Sequence, residues 1–217
     1  MSVIRYRYRT LEFRDRDIHV RTLRDLQQFR DEGGEAEKVG ISSALWPMFG
    51  VVWGSGEMLA TLMQDEPVED RRILEIGCGI ALASLMLKYR DADITATDHH
   101  PEAARFLTEN ERLNELGPIP FVRTGWQDER TGLGTFDLLI GSDLLYERDS
   151  AVVLAGFIDR HARSRCEVII VDPGRGNAGR FTREMQSRGY AQQAEPKRTE
   201  MTCPSGPFSG YVLRYRR

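Results

Sequence analysis

From residue 71 onward, short apolar runs alternate with longer segments of helical periodicity. Nearly continuous apolar runs of this length are typical of strands that a parallel sheet buries on both faces. Strands are predicted at residues 72–76, 93–97, 119–122, 136–141 and 167–171. Helices are predicted between and after them, at about 82–89, 101–116, 150–163 and 178–188. The pattern predicts βαβ units and therefore an α/β fold with a doubly wound, Rossmann-like, mostly parallel sheet.

The N-terminal segment departs from this alternation. Residues 1–21 are predicted to form a hairpin, because apolar residues alternate with arginines before a second apolar run. A short helix is expected at 23–31, and Gly33-Gly34 then predicts a flexible break. Before the first sheet strand, Ser55 is predicted to cap a helix at 56–64.

The C-terminal segment also departs from it. Residues 190–201 and 210–215 flank a Pro/Gly turn at 204–207 and predict an antiparallel pair, which brings the sheet to seven strands. We therefore expect an N-terminal extension at 1–40 and one main domain at 41–217.

Composition excludes several classes of protein. Thirty basic and 33 acidic residues leave a net charge of −3, which argues against a chain that coats nucleic acid. No apolar run approaches the ~18–20 residues needed to span a bilayer, and the first residues do not resemble a secretory signal. The three cysteines are scattered and form no CxxC pair, so no metal site is expected. A cytoplasmic protein without a membrane partner is predicted, and a monomer is expected.

A glycine-containing loop follows the first predicted strand and reads Glu75-Ile76-Gly77-Cys78-Gly79-Ile80-Ala81. Small residues at this point let a ligand approach the main chain. A dinucleotide fingerprint requires glycine at the sixth position from Gly77, where this chain has Leu82, and this weakens an NAD interpretation. The alternative template, acidic-x-Gly-x-Gly-x-Gly, belongs to S-adenosylmethionine-dependent methyltransferases. Ala81 replaces its last glycine, and we expect a tighter fit there.

Asp98 ends the second predicted strand, 23 residues after Glu75. A carboxylate at this strand end is placed to accept hydrogen bonds from both hydroxyls of a ribose. Each feature also has a structural interpretation, since glycines form ordinary strand-to-helix turns and Asp98 is placed to cap a helix. Their combination at this spacing favours S-adenosylmethionine.

Several motifs together resemble one family, the seven-strand protein-lysine methyltransferases that carry an Asp-x-x-Tyr motif. The shared features are Trp46-Pro47, Trp53 with Ser55-Gly56, the loop from Glu75 to Ala81, Asp98 with Asn110, Trp126, and Asp143-Leu144-Leu145-Tyr146. The resemblance covers residues 40–217 and implies the same C-terminal strand pair. The chain departs from the family at two positions. Ala81 replaces a glycine, and Gly54 stands where the family usually has proline.

The resemblance implies roles for nine residues. Those expected to bind the cofactor are Trp53, Glu75, Gly77, Gly79, Asp98, Trp126 and Ser142. Asp143 is expected to orient the acceptor amine, and Tyr146 to line its channel or hydrogen-bond the nucleophile. Packing alone remains an alternative for both tryptophans, and a strand-end cap with a rim tyrosine for Asp143 and Tyr146. Arg175 and Arg180 are assigned no role.

These observations leave several hypotheses for the function. The first is methyl transfer from S-adenosylmethionine to a nitrogen of a protein side chain, with lysine as the acceptor. The alternatives are a methyltransferase acting on a small-molecule amine with the N-terminal segment as a lid, and a non-catalytic scaffold that binds S-adenosylmethionine. An NAD(P)-dependent oxidoreductase ranks last. A nucleic-acid substrate is not expected, because the chain lacks the Asn-Pro-Pro-Tyr loop of N6-adenine methyltransferases.

Overall fold

The structure, a computed structural model, describes residues 5–24, 34–38, 49–147 and 149–217. It begins with strands β1 (Tyr6–Glu12) and β2 (Asp17–Leu23), which pair antiparallel. The predicted hairpin is therefore confirmed. The helix predicted at 23–31 lies outside the described residues apart from its first two positions, and Leu23 belongs to β2. A four-residue helix α1 (Glu35–Lys38) follows Gly34, where only a break was predicted.

The central sheet contains five parallel strands in its described part. They are β3 (Arg72–Ile76), β4 (Asp93–Asp98), β5 (Phe121–Arg123), β6 (Phe136–Ser142) and β7 (Ala162–Asp172). Three further strands are β8 (Ala191–Gln192), β9 (Arg198–Cys203) and β10 (Gly206–Arg216). The order across the sheet is β5-β4-β3-β6-β7-β10-β8, and β9 also pairs with β10. This order confirms the predicted mostly parallel sheet with an antiparallel pair at its C-terminal end.

The outer partner of β10 is interrupted. β8 pairs with Tyr215 and Arg216, whereas β9 pairs with the opposite end of β10, from Gly206 to Tyr211. The prediction of one continuous strand over 190–201 is therefore wrong. Pro196 interrupts this stretch and lacks the N–H that a sheet ladder requires.

The main helices cover both faces of the sheet. They are α2 (Gly54–Leu62), α3 (Leu82–Tyr89), α4 (Ala103–Leu113), α5 (Ser150–His161) and α6 (Ala178–Ser187). Neighbouring residues of β3 point to different cores: Ile73 packs with the cluster that includes α2, α3 and α4, and Leu74 with the cluster of α5 and α6. No helix in the described ranges is long and apolar enough to cross a membrane.

The predicted cap of α2 is wrong. The helix starts at Gly54, its N-cap residue is Trp53, and no side chain caps it, while Ser55 is buried in the first turn. Gly54 at this position also explains the departure from the family's proline. A side chain there would collide with the ring of Phe208, so β10 occupies the space that a proline would need.

Other boundaries shift for local reasons. Strand β7 begins five residues before the predicted strand, because exposed arginines in its first half conceal the apolar pattern. Helix α4 begins at Ala103, so Pro101 precedes the helix instead of lying in its first turn.

Helix α2 is held by segments from both ends of the sequence. Glu57 is buried, and its carboxylate accepts hydrogen bonds from the backbone N–H of Ser205, at 2.8 Å, and from the Ser205 hydroxyl. Arg9 of β1 donates to the same hydroxyl oxygen at 2.8 Å. The turn between β9 and β10 thus connects the hairpin to α2.

Asn110 of α4 and Asn114, the C-cap residue of that helix, bind the open edge of β2. The side-chain oxygens of Asn110 and Asn114 accept hydrogen bonds from the backbone N–H groups of Arg21, at 2.7 Å, and His19, at 2.8 Å. The Asn110 amide also donates to the carbonyl of Ile80 at 3.0 Å. Asn110 therefore joins the hairpin to the loop after β3. The predicted domain boundary at residue 40 lies outside the described residues.

We predict that Asn110→Ala lowers the free energy of unfolding by about 2–4 kcal/mol, because it leaves two backbone groups at a buried position without a partner. Urea denaturation would measure this. Thr108→Ala, at an exposed position of the same helix, serves as the control and should change stability by less than about 0.5 kcal/mol. Equal effects of the two substitutions would contradict the role of Asn110.

Candidate active site

The loop after β3 takes a left-handed path at alternate residues. Gly77, Gly79 and Ala81 have φ values of 62°, 56° and 63°. A Cβ atom at Gly79 would meet nothing within 4 Å, so the main chain is open to a ligand there. Ala81 is buried and is the N-cap residue of α3. Its methyl group stands where the family has glycine, and a left-handed alanine costs roughly 1–2 kcal/mol of backbone strain.

Glu75 lies in β3 directly before this loop and is 4% exposed. One of its carboxylate oxygens accepts hydrogen bonds from the backbone N–H of Ser84, at 2.9 Å, and from the Ser84 hydroxyl. Burial raises the pKa of Glu75 to about 7, and the hydrogen bonds from Ser84 only partly oppose this. The side chain is thus a carboxyl group that gains or loses its proton near neutral pH.

Asp98 at the end of β4 links two loops through its carboxylate. One oxygen accepts a hydrogen bond from the N–H of Gly79, and the other accepts one from the N–H of His100, each at 2.7 Å. Burial raises the pKa of Asp98, while these two backbone hydrogen bonds lower it. The backbone N–H of His99 also lowers this pKa through a hydrogen bond. A carboxylate has about four acceptor positions, so at least one stays available to a further donor.

Asp143 follows β6 in an unusual conformation. Its φ is 55°, and its N–H donates to the carbonyl of Val171 at 2.8 Å. Both carboxylate oxygens of Asp143 bind the guanidinium of Arg175, through Nε and Nη2, each at 2.7 Å. Arg175 had no predicted role. The flanking residues Gly174 and Gly176 indicate a turn at this position, but they do not indicate that Arg175 pairs with Asp143.

Aromatic side chains lie beside Asp143. The ring centroids of Trp126 and Tyr146 are 6.2 Å apart. Burial raises the pKa of Tyr146 to about 12, so its hydroxyl stays protonated at neutral pH. The backbone carbonyl of Trp126 accepts a hydrogen bond from Arg160 at 2.6 Å. Trp53, at the start of α2, is 38% exposed, which is more than a purely structural core tryptophan requires.

All nine residues predicted to form the site line one cavity of 610 Å³. Its volume is in the range of small-molecule sites. The cavity lies beyond the carboxyl ends of β3, β4 and β6, which is where ligands bind in open α/β sheets. Asp128 also lines it, but one of its oxygens accepts a hydrogen bond from the N–H of Gly125 at 2.7 Å and shapes that turn.

The charge of the cavity lining has one sign. Among the described lining residues there is no lysine or arginine, whereas six are acidic: Glu75, Asp98, Asp128, Asp143, Glu147 and Asp149. Within the same described ranges, no group of three or more histidine, cysteine, aspartate or glutamate side chains is placed to hold a metal ion. The lining is therefore suited to a ligand that carries positive charge.

Solved structures with a similar fold include methyltransferases. The ribosomal protein L11 methylase of Lactobacillus delbrueckii subsp. bulgaricus aligns with a TM-score of 0.60 at 18% identity, covering 79% of this chain and 82% of that one. The T. thermophilus 16S rRNA N2 G1207 methyltransferase, in complex with AdoMet and guanosine, aligns with a TM-score of 0.67 at 13% identity, covering 99% and 51%. At these identities the likeness shows the fold, which is that of class I methyltransferases.

Curated relatives are closer in sequence. The electron transfer flavoprotein beta subunit lysine methyltransferase of Xenopus laevis is 30% identical over 139 residues, which cover 60% of this chain and 56% of the relative. The Rattus norvegicus protein of the same name is 28% identical, covering 72% and 64%. Calmodulin-lysine N-methyltransferase of Arabidopsis thaliana is 23% identical, covering 63% and 49%. The chain thus spans between half and two thirds of the length of these relatives.

The family model that matches this chain is described as lysine methyltransferase and aligns with residues 37–188. This range contains all nine predicted site residues and the greater part of the sheet. The chain therefore belongs to the lysine methyltransferase family.

Proposed function

We propose that this chain transfers a methyl group from S-adenosylmethionine to the side-chain nitrogen of a lysine in a protein substrate. The observation that carries the proposal is the acidic cavity at the carboxyl ends of the parallel strands, with Asp143 and Tyr146 on its wall. The cofactor is cationic and lysine is cationic in water, so such a lining attracts both from solution. Membership of the lysine methyltransferase family supports the same acceptor.

The residues around the glycine loop fit the cofactor. When bound, S-adenosylmethionine supplies a methyl group activated by a positively charged sulfur. The carboxylate of Asp98 retains acceptor capacity beside its backbone donors and suits the hydroxyls of a ribose. Burial disfavours the charge on Glu75 and Asp98, so a positively charged or hydrogen-bond-donating ligand is favoured beside them. We place Gly77 and Gly79 against the ligand through their main chain, and Trp53, Trp126 and Ser142 around it.

Asp143 and Tyr146 have the positions needed to handle the acceptor amine. A lysine amine has a reference pKa near ~10.4 and reacts only after it has lost its proton. Removal from water lowers this pKa. Asp143 then accepts a hydrogen bond from the neutral amine and orients its lone pair, while the protonated hydroxyl of Tyr146 fixes the other side. The paired rings of Trp126 and Tyr146 exclude water from this region.

The same geometry weighs against the NAD(P) alternative. A dinucleotide carries a negatively charged pyrophosphate, which is disfavoured by a lining that contains acidic side chains and no described lysine or arginine. A small-molecule acceptor and a non-catalytic scaffold are distinguished by experiment. The cytoplasmic location, the monomeric state and the domain boundary at residue 40 remain predictions from the sequence.

The direct test of the function is transfer of a labelled methyl group into a cell lysate. We expect the label to enter a protein, and mass spectrometry to locate it on a lysine. Asp143→Asn should bind S-adenosylmethionine within about twofold of the original affinity yet lower turnover by about a hundredfold or more.

Each other outcome of that test points to a different function. Label confined to small molecules would favour the small-amine alternative, and cofactor binding without any transfer would favour the scaffold. Transfer that survives Asp143→Asn unchanged would contradict the role of Asp143.

We predict that Asp98→Ala weakens S-adenosylmethionine binding about 30- to 150-fold, because two charge-assisted hydrogen bonds are lost. Calorimetric titration would measure this, with circular dichroism to check that the variant is folded. Asp93→Ala removes a carboxylate from the exposed first residue of the same strand and should leave the affinity unchanged. Stronger binding of NADH than of S-adenosylmethionine would refute the cofactor assignment.

We also predict that cofactor affinity depends on pH through Glu75. With a pKa of about 7 in the free protein, Glu75 is mostly protonated at pH 6 and mostly ionised at pH 8. A cationic ligand prefers the ionised form, so the affinity should be about tenfold higher at pH 8 than at pH 6. Glu75→Gln should bind more weakly and lose most of this dependence. A dissociation constant that does not change between pH 6 and pH 8 would count against Glu75.

The stability of the ligand-free protein should fall as the pH rises, which is opposite to the change in cofactor affinity. Because the pKa of Glu75 is raised on folding, its contribution favours the fold fully below the unfolded value of 4.5 and is lost as the pH rises through about 7. A bound cation should therefore reduce this loss, and thermal melting with and without S-adenosylmethionine would show it.

A further inference from the structure

The ion pair between Arg175 and Asp143 is not used by the mechanism described so far. Its two nitrogen–oxygen distances are both 2.7 Å, and both oxygens of the carboxylate are engaged. The side chain of Asp143 is 10% exposed and that of Arg175 is 34% exposed. Asp143 lines the cavity and Arg175 is not among the described residues that do, so the guanidinium approaches from outside the cavity.

The loop that carries Arg175 has a defined shape. Asp172, at the end of β7, is buried and accepts a hydrogen bond from the N–H of Gly174 at 3.0 Å. Gly174 and Gly176 have φ values of 102° and 86°, which place Arg175 between two turns. The side-chain amide of Asn177 then donates to the carbonyl of Leu145 at 2.8 Å. The loop after β7 therefore contacts the loop after β6 at two points: Arg175 binds Asp143, and Asn177 binds the carbonyl of Leu145.

We propose that Arg175 is a positioning residue for the reaction: it fixes the carboxylate of Asp143 and offsets its charge, so that Asp143 orients the acceptor amine without stabilising the ammonium form. The inference rests on the proposed methyl transfer and deepens it. It assigns to this site a preference for the neutral amine, which is the form that reacts.

The physical argument concerns the charge that the amine meets. An isolated carboxylate beside an amine favours the protonated form and raises the amine pKa, which would oppose catalysis. A guanidinium bound to both oxygens offsets that charge, yet leaves lone pairs on the carboxylate for one more N–H donor. The bidentate contact with Arg175 also prevents the carboxylate of Asp143 from rotating, so the free lone pairs of Asp143 keep one direction.

Other charged groups near Asp143 do not change in the proposed experiment. Asp172 of β7 and Tyr146 of the same loop interact with Asp143 electrostatically. Glu147 and Asp98 interact with Tyr146. These groups are common to all the variants below, so a difference between variants reports on position 175.

The first test is the pH dependence of kcat, measured with the lysate protein that the original chain labels as the acceptor. Arg175→Gln should move the rise of kcat to higher pH by about one unit without increasing KM, so that kcat at pH 8 falls about tenfold and recovers above pH 9. Arg175→Lys keeps the positive charge but loses the bidentate contact, so it should retain the original pH profile of kcat with a lower maximal kcat. A purely structural role would lower kcat at every pH without moving the profile.

A matched control comes from helix α6. Arg180 contacts the carboxylate of the exposed Asp149 at 3.3 Å, whereas the described guanidinium contacts of Asp143 come from Arg175. Arg180→Gln removes the same type of charge and should leave the pH profile in place. An equal shift in this control, or no shift in Arg175→Gln, would overturn the proposal.

A second measurement needs no acceptor. NMR of nitrogen-15-labelled protein should show a slowly exchanging Nε–H signal that Arg175→Lys removes and that Asp143→Asn returns to fast exchange. A signal that Asp143→Asn leaves unchanged would overturn the ion pair and the proposal with it. If the original chain labels no protein, the proposed function fails, whereas an intact function with an unshifted Arg175→Gln profile defeats only this inference.

Discussion

The carboxylate of Asp98 determines how the loop after β3 and the end of β4 meet. A carboxylate that is largely removed from water is stable only when donors surround it, and here the donors include the N–H groups of Gly79 and His100. The N–H of Gly79 points toward Asp98 because the chain takes left-handed turns on both sides of it. The strain at Ala81 is thus tolerated by a loop whose shape is set by this interaction.

Burial of acidic groups gives the cavity its chemical preference. Glu75 and Asp98 are held in place by backbone N–H groups, while no described lysine or arginine lines the cavity to neutralise them. The site therefore places acidic side chains in a region of low dielectric constant, where charge interactions are strong. Asp143 differs from these two, because its partner Arg175 belongs to a neighbouring loop outside the cavity. The carboxylates proposed to bind the cofactor, Glu75 and Asp98, thus have backbone N–H donors, whereas Asp143, proposed to orient the acceptor amine, has a guanidinium partner.

Much of this arrangement could be predicted from the sequence. Buried parallel strands carry a strong apolar signal, and β3 and α3 have the predicted bounds. Because the carboxyl ends of parallel strands share one edge, residues after β3, β4 and β6 had to lie close together. Their presence around one cavity follows from topology, whereas their chemical roles remain proposals.

Details that depend on contacts between distant segments could not be predicted. The start of α2 depends on Gly54 packing against the ring of Phe208, and nothing local to Ser55 signals this. The partner of Asp143 lies 32 residues away on a loop with no periodic pattern. The role of Asn110 in joining the hairpin to the glycine loop is likewise a matter of tertiary structure, since an asparagine within a helix carries no such signal by itself.

The clamp between Glu57 and Ser205 has a consequence for biosynthesis. During translation α2 emerges early, but the turn that holds Glu57 is made about 150 residues later. Trp53, one turn from Glu57, therefore reaches its final place on the cavity wall only when the last strands have left the ribosome and joined the sheet. The nascent chain would be unable to bind a ligand tightly until that moment, so acquisition of cofactor would mark the completion of folding.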